Sequence, residues 1–183
     1  NNWVSYLELQ PVDISQASDP QLSFNARWAI EEDKWYGLGY DVFNVQASVN
    51  GGLTWQVLDT DLAYHFTEND HPYLNENNFH TGWAGIQDWV TIRADLSALE
   101  SDADLMLRLA FATDESESTV GVEVYGDICW DCDRFDSWYG VEVTEIEVID
   151  VHTDSVILPS YFGLSPVDLN ESELDFGSQV WEN

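Results

Sequence analysis

Alternating apolar and polar positions recur through most of residues 3–151, in the pattern typical of β-strands with one buried face. In the clearest example, apolar residues occupy the even positions of 22–28 and polar residues occupy the odd positions of 23–27. The pattern predicts strands at 3–9, 22–30, 89–94, 105–112, 120–125 and 140–151. The last of these reads VEVTEIEVIDV, which we expect to alternate strictly and to close the domain as a core strand.

The segment from Tyr40 to Leu58 combines strand periodicity with turn chemistry, and the fold prediction is organised around it. Two β-rich runs flank Asn50-Gly51-Gly52, residues that tolerate the positive φ angles of a tight reversal. We therefore predict a β-hairpin with strands of about five to eight residues each.

Three further stretches set the expected architecture. The run 105–112 is almost continuously apolar, which favours a position at the centre of a sheet. Residues 59–81 lose all periodicity and predict a long loop, and 95–104 predict a turn with a short helical piece. The chain is thus predicted to be all-β, an antiparallel β-sandwich with long loops and little helix.

The hairpin sequence NGGLTW resembles the "N-G-G-x-T-W" hairpin of MAM-like jelly-roll domains, which accompany immune-inhibitor-A-like metallopeptidases in secreted bacterial proteins. Four further segments are similar to that family in the family's order: 7–31, 82–99, 105–114 and 140–148. The resemblance implies a jelly roll. It implies no hydrolysis, because the family's peptidase activity resides in a separate catalytic domain.

The 183 residues fit one domain with a single core, which we place at 1–152. Beyond it, 153–183 has a different composition and reads as a linker or tail. Its Ser165-Pro166 and its segment 174–177 resemble the opening strand of bacterial Ig-like repeats. We expect this tail to contact or to begin a neighbouring domain; a plain disordered end is the alternative.

The charge balance narrows the possible partners. The 35 acidic and 5 basic residues give a formal net charge of −30, which repels nucleic acids and anionic membranes. No apolar run reaches the roughly 20 residues of a membrane helix, and the start at Asn1 reads as a mature or excised segment. Salt screening or bound Ca²⁺ would relieve the repulsion, and both indicate an extracellular protein.

Residues 115–139 form an insertion relative to the resembled family, and acidic side chains cluster in and beside it. Several carboxylates on neighbouring loops supply the oxygen ligands that Ca²⁺ requires, although the spacing matches no EF-hand. The alternative is a solvated acidic surface. The predicted calcium ligands are Asp114, Asp127, Asp131 and Asp133.

The only two cysteines, Cys129 and Cys132, are too few for a cysteine-rich zinc site, and no haem-attachment histidine follows them. A redox pair normally opens a helix, and no helical pattern follows Cys132. We therefore predict a local disulfide that holds Trp130 at the tip of the insertion.

No catalytic constellation stands out, and we expect no enzymatic activity. The histidines His65, His71 and His80 share the long loop and suggest a zinc site, but irregular spacing and the lack of a His-Glu-x-x-His pair favour solvated loop histidines. No nucleophile motif or phosphate-binding loop is present in the sequence.

Aromatic residues are abundant, with nine Trp, eight Tyr and eight Phe, and several fall in predicted loops. We expect a non-catalytic binding or adhesion module of a secreted or cell-surface protein, with loop aromatics that contact carbohydrate or protein. The expected contacts are Trp35, Tyr36, Trp83, Trp130, Trp138 and Tyr139. The alternative is a structural or assembly subunit of an extracellular fibre or adhesin, joined to its neighbours through the tail.

Overall fold

A computed structural model describes residues 3–30, 32–33, 38–66, 78–99, 105–113 and 140–158. Every regular element in these ranges is a β-strand, so the predicted all-β class is confirmed. The strands are β1 (Trp3–Glu8), β2 (Pro20–Ile30), β3 (Glu32–Asp33), β4 (Leu38–Gly39), β5 (Val42–Ser48), β6 (Gln56–Val57), β7 (Gly85–Asp95), β8 (Met106–Thr113), β9 (Gly140–Asp150) and β10 (Ser155–Leu158). None of the described ranges holds a helix that could cross a membrane.

Two four-stranded antiparallel sheets form the sandwich. The first sheet has the order β1-β8-β5-β6 and the second has the order β10-β9-β2-β7, while β3 and β4 pair separately. The long strands β1, β2, β5, β7, β8 and β9 alternate between the two sheets along the chain, which is the crossing pattern of a jelly roll. The predicted antiparallel β-sandwich is confirmed, and β8 occupies the interior position expected for it.

The core lies between the two sheets and follows the alternation in the sequence. In β2, Leu22, Phe24 and Trp28 are fully buried, whereas Asn25 and Arg27 on the opposite face are half-buried. One face of the second sheet therefore belongs to the core, and its other face carries polar side chains. Burying the apolar face removes it from water, which is the main favourable contribution to folding.

The predicted hairpin is present, but its second strand is shorter than expected. The strand β5 has seven residues, whereas β6 has two. Gly51 and Gly52 adopt the predicted positive φ angles of 68° and 82°. The side chain of Asn50 closes a wider loop, because its Oδ1 accepts from the Thr54 amide at 2.9 Å and its Nδ2 donates to the Thr54 hydroxyl at 2.8 Å.

The segment 78–84 returns from the predicted long loop onto β5. The Trp83 amide donates to the Phe43 carbonyl at 2.8 Å, and the Phe43 amide donates to the Trp83 carbonyl at 3.0 Å. A side chain at Gly82 would place its Cβ 2.8 Å from the Phe43 oxygen, so only glycine permits this close approach. Residues 67–77 and 100–104 lie outside the described ranges, as does the strand predicted at 120–125.

The strict alternation expected of the closing strand is wrong at one point. The pairing of β9 with β2 shifts between Ser23 and Asn25, and Glu145 has a φ of 53°. The buried apolar residues therefore occupy odd positions up to Val143 and even positions from Ile146 onward. This irregularity is a β-bulge, which inserts one extra residue and bends the strand.

The strand β10 lies inside the segment that the sequence predicts to be a tail. Ser155 pairs with Asp150 and Val156 pairs with Ile149, so β10 extends the second sheet at its edge. The sandwich therefore continues past the predicted boundary at residue 152. Residues 159–183, with the segments that resemble Ig-like repeats, lie outside the described ranges.

The side chain of Asp150 fastens the end of β9 to the turn before β2. Its two oxygens accept from the Ser18, Asp19 and His152 amides, each at 3.1 Å. The pKa of Asp150 is lowered, mainly because its carboxylate accepts from the Ser18 amide; burial opposes this shift, and hydrogen bonds from Thr153, Asp19 and His152 add to it. The ionised carboxylate is therefore the form that stabilises the fold.

We expect Asp150→Asn to lower the melting temperature near neutral pH. A lowered pKa in the folded state means that Asp150 stabilises the protein above its unfolded pKa of about 3.9, and that this contribution is lost as the pH falls through the folded pKa. Thermal unfolding measured from about pH 7 to about pH 2 should show the two proteins converging at the acid end. Asp59→Asn, an exposed carboxylate, is the charge-matched control. A gap between Asp150→Asn and the native chain that persists unchanged in acid would contradict this role.

Candidate functional site

The outer face of the second sheet carries an exposed tryptophan. Trp89, on the edge strand β7, is 48% exposed. The pairing of β7 with β2 shifts between Ala26 and Trp28, so Asp88 and Trp89 together face Arg27 where a regular strand would place one residue. Bulges of this kind re-aim side chains and are over-represented next to active sites.

Two rows of side chains run across β9, β2 and β7 on this face. In the first row, Arg27 lies between Glu142 and Trp89: its Nη2 is 2.5 Å from a Glu142 oxygen, and its guanidinium carbon is 5.0 Å from the centre of the Trp89 ring. In the second row, Asn25 donates to Glu145 and accepts from the Thr91 hydroxyl at 2.6 Å. Each row thus ties the central strand to both of its neighbours.

The bulge in β9 contributes directly to the second row. Glu145 is the bulged residue with positive φ, and its side chain receives the Asn25 amide. Asn25 and Arg27 are two residues apart on β2, so the rows lie about 7 Å apart. We call this group the Trp89 patch; its members are Asn25, Arg27, Trp89, Thr91, Glu142 and Glu145.

The patch combines a flat aromatic ring with hydrogen-bonding groups of several kinds. Arg27 supplies donors, Glu142 and Glu145 supply acceptors, and Asn25 and Thr91 supply both. The mutual contacts hold these groups in one arrangement on three strands, which is more rigid than a loop. Chemically, such a surface can stack against an apolar ring face and exchange hydrogen bonds with groups around its rim.

The structure corrects one predicted ligand contact. Trp83 is 0% exposed, and its ring centre lies 5.4 Å from that of Trp28 and 4.4 Å from that of Tyr64. Its Nε1 donates to the Ala63 carbonyl at 3.2 Å. Trp83 is therefore a core residue rather than a surface contact. The other predicted contacts lie outside the described ranges: Trp35, Tyr36, Trp130, Trp138 and Tyr139.

The predicted metal and disulfide residues also lie outside the described ranges, so both stay predictions; they are Asp114, Asp127, Asp131, Asp133, Cys129 and Cys132. Among the residues that the structure describes, no group of three or more His, Cys, Asp or Glu is placed to hold a metal ion. His65 uses its Nδ1 to accept the Ala84 amide at 3.1 Å, which gives that nitrogen a structural role.

A second aromatic group lies on the outer face of the first sheet, where Arg108 contacts the rings of Tyr6, which is 39% exposed, and Trp55. The guanidinium of Arg108 lies 3.7 Å from the ring centre of Tyr6 and 3.9 Å from that of Trp55. The Arg108 side chain is only 8% exposed, and its Nε and Nη2 donate to Gln46 Oε1 at 2.9 and 2.6 Å. Burial lowers the pKa of Arg108, against Tyr6 and Glu8, which raise it. This group braces β1, β8 and the hairpin.

Sequence reasoning missed the Trp89 patch, although the signal was present. Trp89 begins the predicted strand 89–94 in phase with Thr91 and Arg93, the polar positions of that strand. A tryptophan on a polar phase is expected to be exposed. The ligand contacts predicted from the sequence are aromatic residues assigned to loops, so they do not include this strand position.

Comparison with models of known protein families and with curated proteins found no match for this chain. The resemblance to MAM-like domains accordingly stays a prediction.

Proposed function

We propose that the chain is a non-catalytic binding module of a secreted or cell-surface protein and that it binds carbohydrate at the Trp89 patch. The observation that carries the proposal is the exposed Trp89 within a polar sheet face. A large aromatic side chain left in water loses the stabilisation that burial would give it. An ordered ring that stays half exposed beside hydrogen-bonding groups offers a surface on which a ligand can stack.

The chemistry of the patch matches a sugar. A sugar ring has a C–H face that stacks on an aromatic ring and hydroxyl groups that both donate and accept hydrogen bonds. Trp89 offers the stacking surface, and Asn25, Arg27 and Glu142 offer partners for hydroxyls beside it. Because these groups are already held by one another, little conformational entropy would be lost on binding.

Other ligand classes fit less well. The formal net charge of −30 opposes polyanions such as nucleic acids. A specific protein interface buries about 800 Å² per partner around an apolar centre. On this face Trp89 and Asp88 lie opposite Arg27, and Thr91 lies opposite Asn25, so polar groups border the ring; Ile86, opposite Ala29 and 36% exposed, adds one apolar side chain rather than an apolar centre.

The proposal predicts that Trp89→Ala abolishes glycan binding without unfolding the protein. On a panel of soluble polysaccharides, measured by affinity electrophoresis and then by calorimetry, we expect the native chain to bind at least one glycan. Loss of the ring should weaken that binding at least about tenfold, which corresponds to 1.4 kcal/mol. Trp89→Phe should retain part of the affinity, because it keeps a smaller aromatic face.

The matched control is Leu53→Ala, which shortens an 84% exposed side chain at the hairpin tip. This variant should bind as the native chain does. Absence of binding to every glycan, or equal affinity of Trp89→Ala and the native chain, would refute the proposal.

A further inference from the structure

We infer that the carbohydrate taken by the Trp89 patch carries free amino groups, so that the ligand is a cationic amino sugar. This inference rests on the proposed function and specifies its ligand. It follows from the distribution of charge on the outer face of the second sheet and from the contacts of Trp89.

Acidic side chains outnumber basic ones on this face. Among the described residues, the cations on this face are Arg27 and Arg93, and the acids are Asp88, Asp95, Glu142, Glu145 and Glu147. Arg27 is engaged by Glu142, and the nearest carboxylate of Arg93 is that of Asp61, at 3.7 Å. Within the described ranges, no basic side chain comes within 4.0 Å of the carboxylates of Asp88, Glu145 or Glu147.

Of these three carboxylates, Asp88 is next to Trp89 on β7, whereas Glu145 and Glu147 lie two strands away, on β9. Asp88 precedes Trp89 in the bulge, and Glu145 is joined to the patch through Asn25. Glu147 lies one outward position further along β9, opposite Ser23. A ligand long enough to stack on Trp89 and to reach across β2 to β9 therefore meets carboxylates that have no basic partner within 4.0 Å among the described residues.

The ring itself already engages a cation. Arg27 lies over Trp89 at 5.0 Å, within the range of a cation–π contact, while the ring remains 48% exposed. An ammonium group near the exposed part of the ring would gain the same attraction, together with that of the carboxylates. The net charge of −30 would also raise the association rate of any cationic ligand.

An amino sugar fits these contacts better than a basic peptide does. A peptide of comparable charge would bind as an added strand along the edge of β7, and Asp61 already occupies the Arg93 backbone groups of that edge: its amide donates to the Arg93 carbonyl at 2.9 Å, and its Oδ1 accepts from the Arg93 amide at 2.8 Å. A glucosamine unit combines the stacking face, the hydroxyls and the ammonium group within a single ring. We therefore assign the free amino group to the side of the patch that holds Glu145 and Glu147.

The test compares two oligosaccharides that differ only in acetylation. A β-1,4-linked glucosamine tetramer and its fully N-acetylated counterpart are titrated into the native chain by calorimetry near pH 6, where the amines are charged. We expect the glucosamine tetramer to bind at least about tenfold more tightly, with a preference that decreases as NaCl is raised. Trp89→Ala should lose both ligands.

Charge variants separate a local contact from general attraction. Glu145→Gln/Glu147→Gln should remove most of the preference for the free amine, measured as the ratio of the two tetramer affinities within this variant. Asp59→Asn/Asp154→Asn, which removes the same charge at exposed positions outside the patch, should leave the preference unchanged. Melting curves of all variants verify that each one is folded.

The other possible results refute either the cationic ligand alone or the proposed function as well. Equal affinity for the two tetramers, or binding of other neutral glycans alone, refutes the cationic ligand and leaves the proposed function standing. Undiminished binding of the glucosamine tetramer to Trp89→Ala shows non-specific attraction to an acidic protein and refutes the inference. Tighter binding of a lysine-rich peptide than of the tetramer also refutes it, and failure of every glycan refutes the proposed function as well.

Discussion

Trp83→Ala is expected to lower the free energy of unfolding by about 3–5 kcal/mol, the usual cost of removing a large aromatic side chain from a core. Trp83 joins the two sheets, because its ring packs against Trp28 of β2 and Phe43 of β5, with centre distances of 5.4 and 5.3 Å. The substitution would leave a cavity between the sheets. It would also leave the Ala63 carbonyl without its indole donor.

Chemical unfolding monitored by circular dichroism measures this effect. For a domain of this size the expected loss corresponds to a decrease in melting temperature of roughly 10 °C. Trp89→Ala is the matched control, since it makes the same change at an exposed position and should alter stability by about 0.5 kcal/mol or less. If the two variants unfold at the same denaturant concentration, the assignment of Trp83 to the core is wrong.

The sandwich could be predicted because local signals agree with the tertiary fold along most of the chain. The polar and apolar phases of β2 in the sequence are the exposed and buried faces in the structure, from Leu22 to Trp28. The apolar run that forms β8 lies between β1 and β5, so both of its edges are paired, and its residues from Leu107 to Ala112 are buried. Gly51 and Gly52 have the positive φ angles that their residue type permits. Each of these features depends on a few neighbouring residues.

The features that the sequence did not predict depend on long-range pairing. The strand β10 is stabilised by β9, and nothing in its short sequence distinguishes it from a tail. The shortness of β6 results from the bonds of the Asn50 side chain across the loop. The bulge at Glu145 has a local signal in hindsight, because Thr144-Glu145 is a polar pair that breaks the alternation.

The two tryptophans show why the candidate site was harder to predict than the fold. Trp83 follows the predicted loop and is a predicted ligand contact, yet its backbone pairs with Phe43 and the ring lies inside. Trp89 begins a predicted strand and is not among the predicted contacts, yet its phase places the ring outside. In both cases the decisive information is the direction of the side chain relative to the sheets. Loop or strand assignment alone does not supply it.

The brace around Arg108 gives the second large expected effect. From Arg108, hydrogen bonds continue through Gln46 to Asn44, and the Asn44 amide donates to the Asn78 and Thr81 carbonyls at 2.9 and 2.8 Å. This chain connects the outer face of the first sheet to the segment that delivers Trp83. The buried amides of Asn44 and Gln46 therefore depend on one another and on Arg108 for their partners.

We expect Arg108→Met to lower the free energy of unfolding by about 2–4 kcal/mol, the sum of a buried Gln46 oxygen left without a donor and the lost cation–π contacts. Removal of a buried charge offsets part of this cost, because Glu8 at 3.9 Å is its nearest described carboxylate. Arg108→Lys should recover less than half, since an ammonium cannot reproduce the planar fork between two rings. The control is Arg93→Met, whose side chain is 52% exposed and which should lose about 1 kcal/mol or less.

Amide hydrogen exchange should also become faster at 78–83 in Arg108→Met alone, and unchanged exchange there would show that the hydrogen-bond chain does not stabilise this segment.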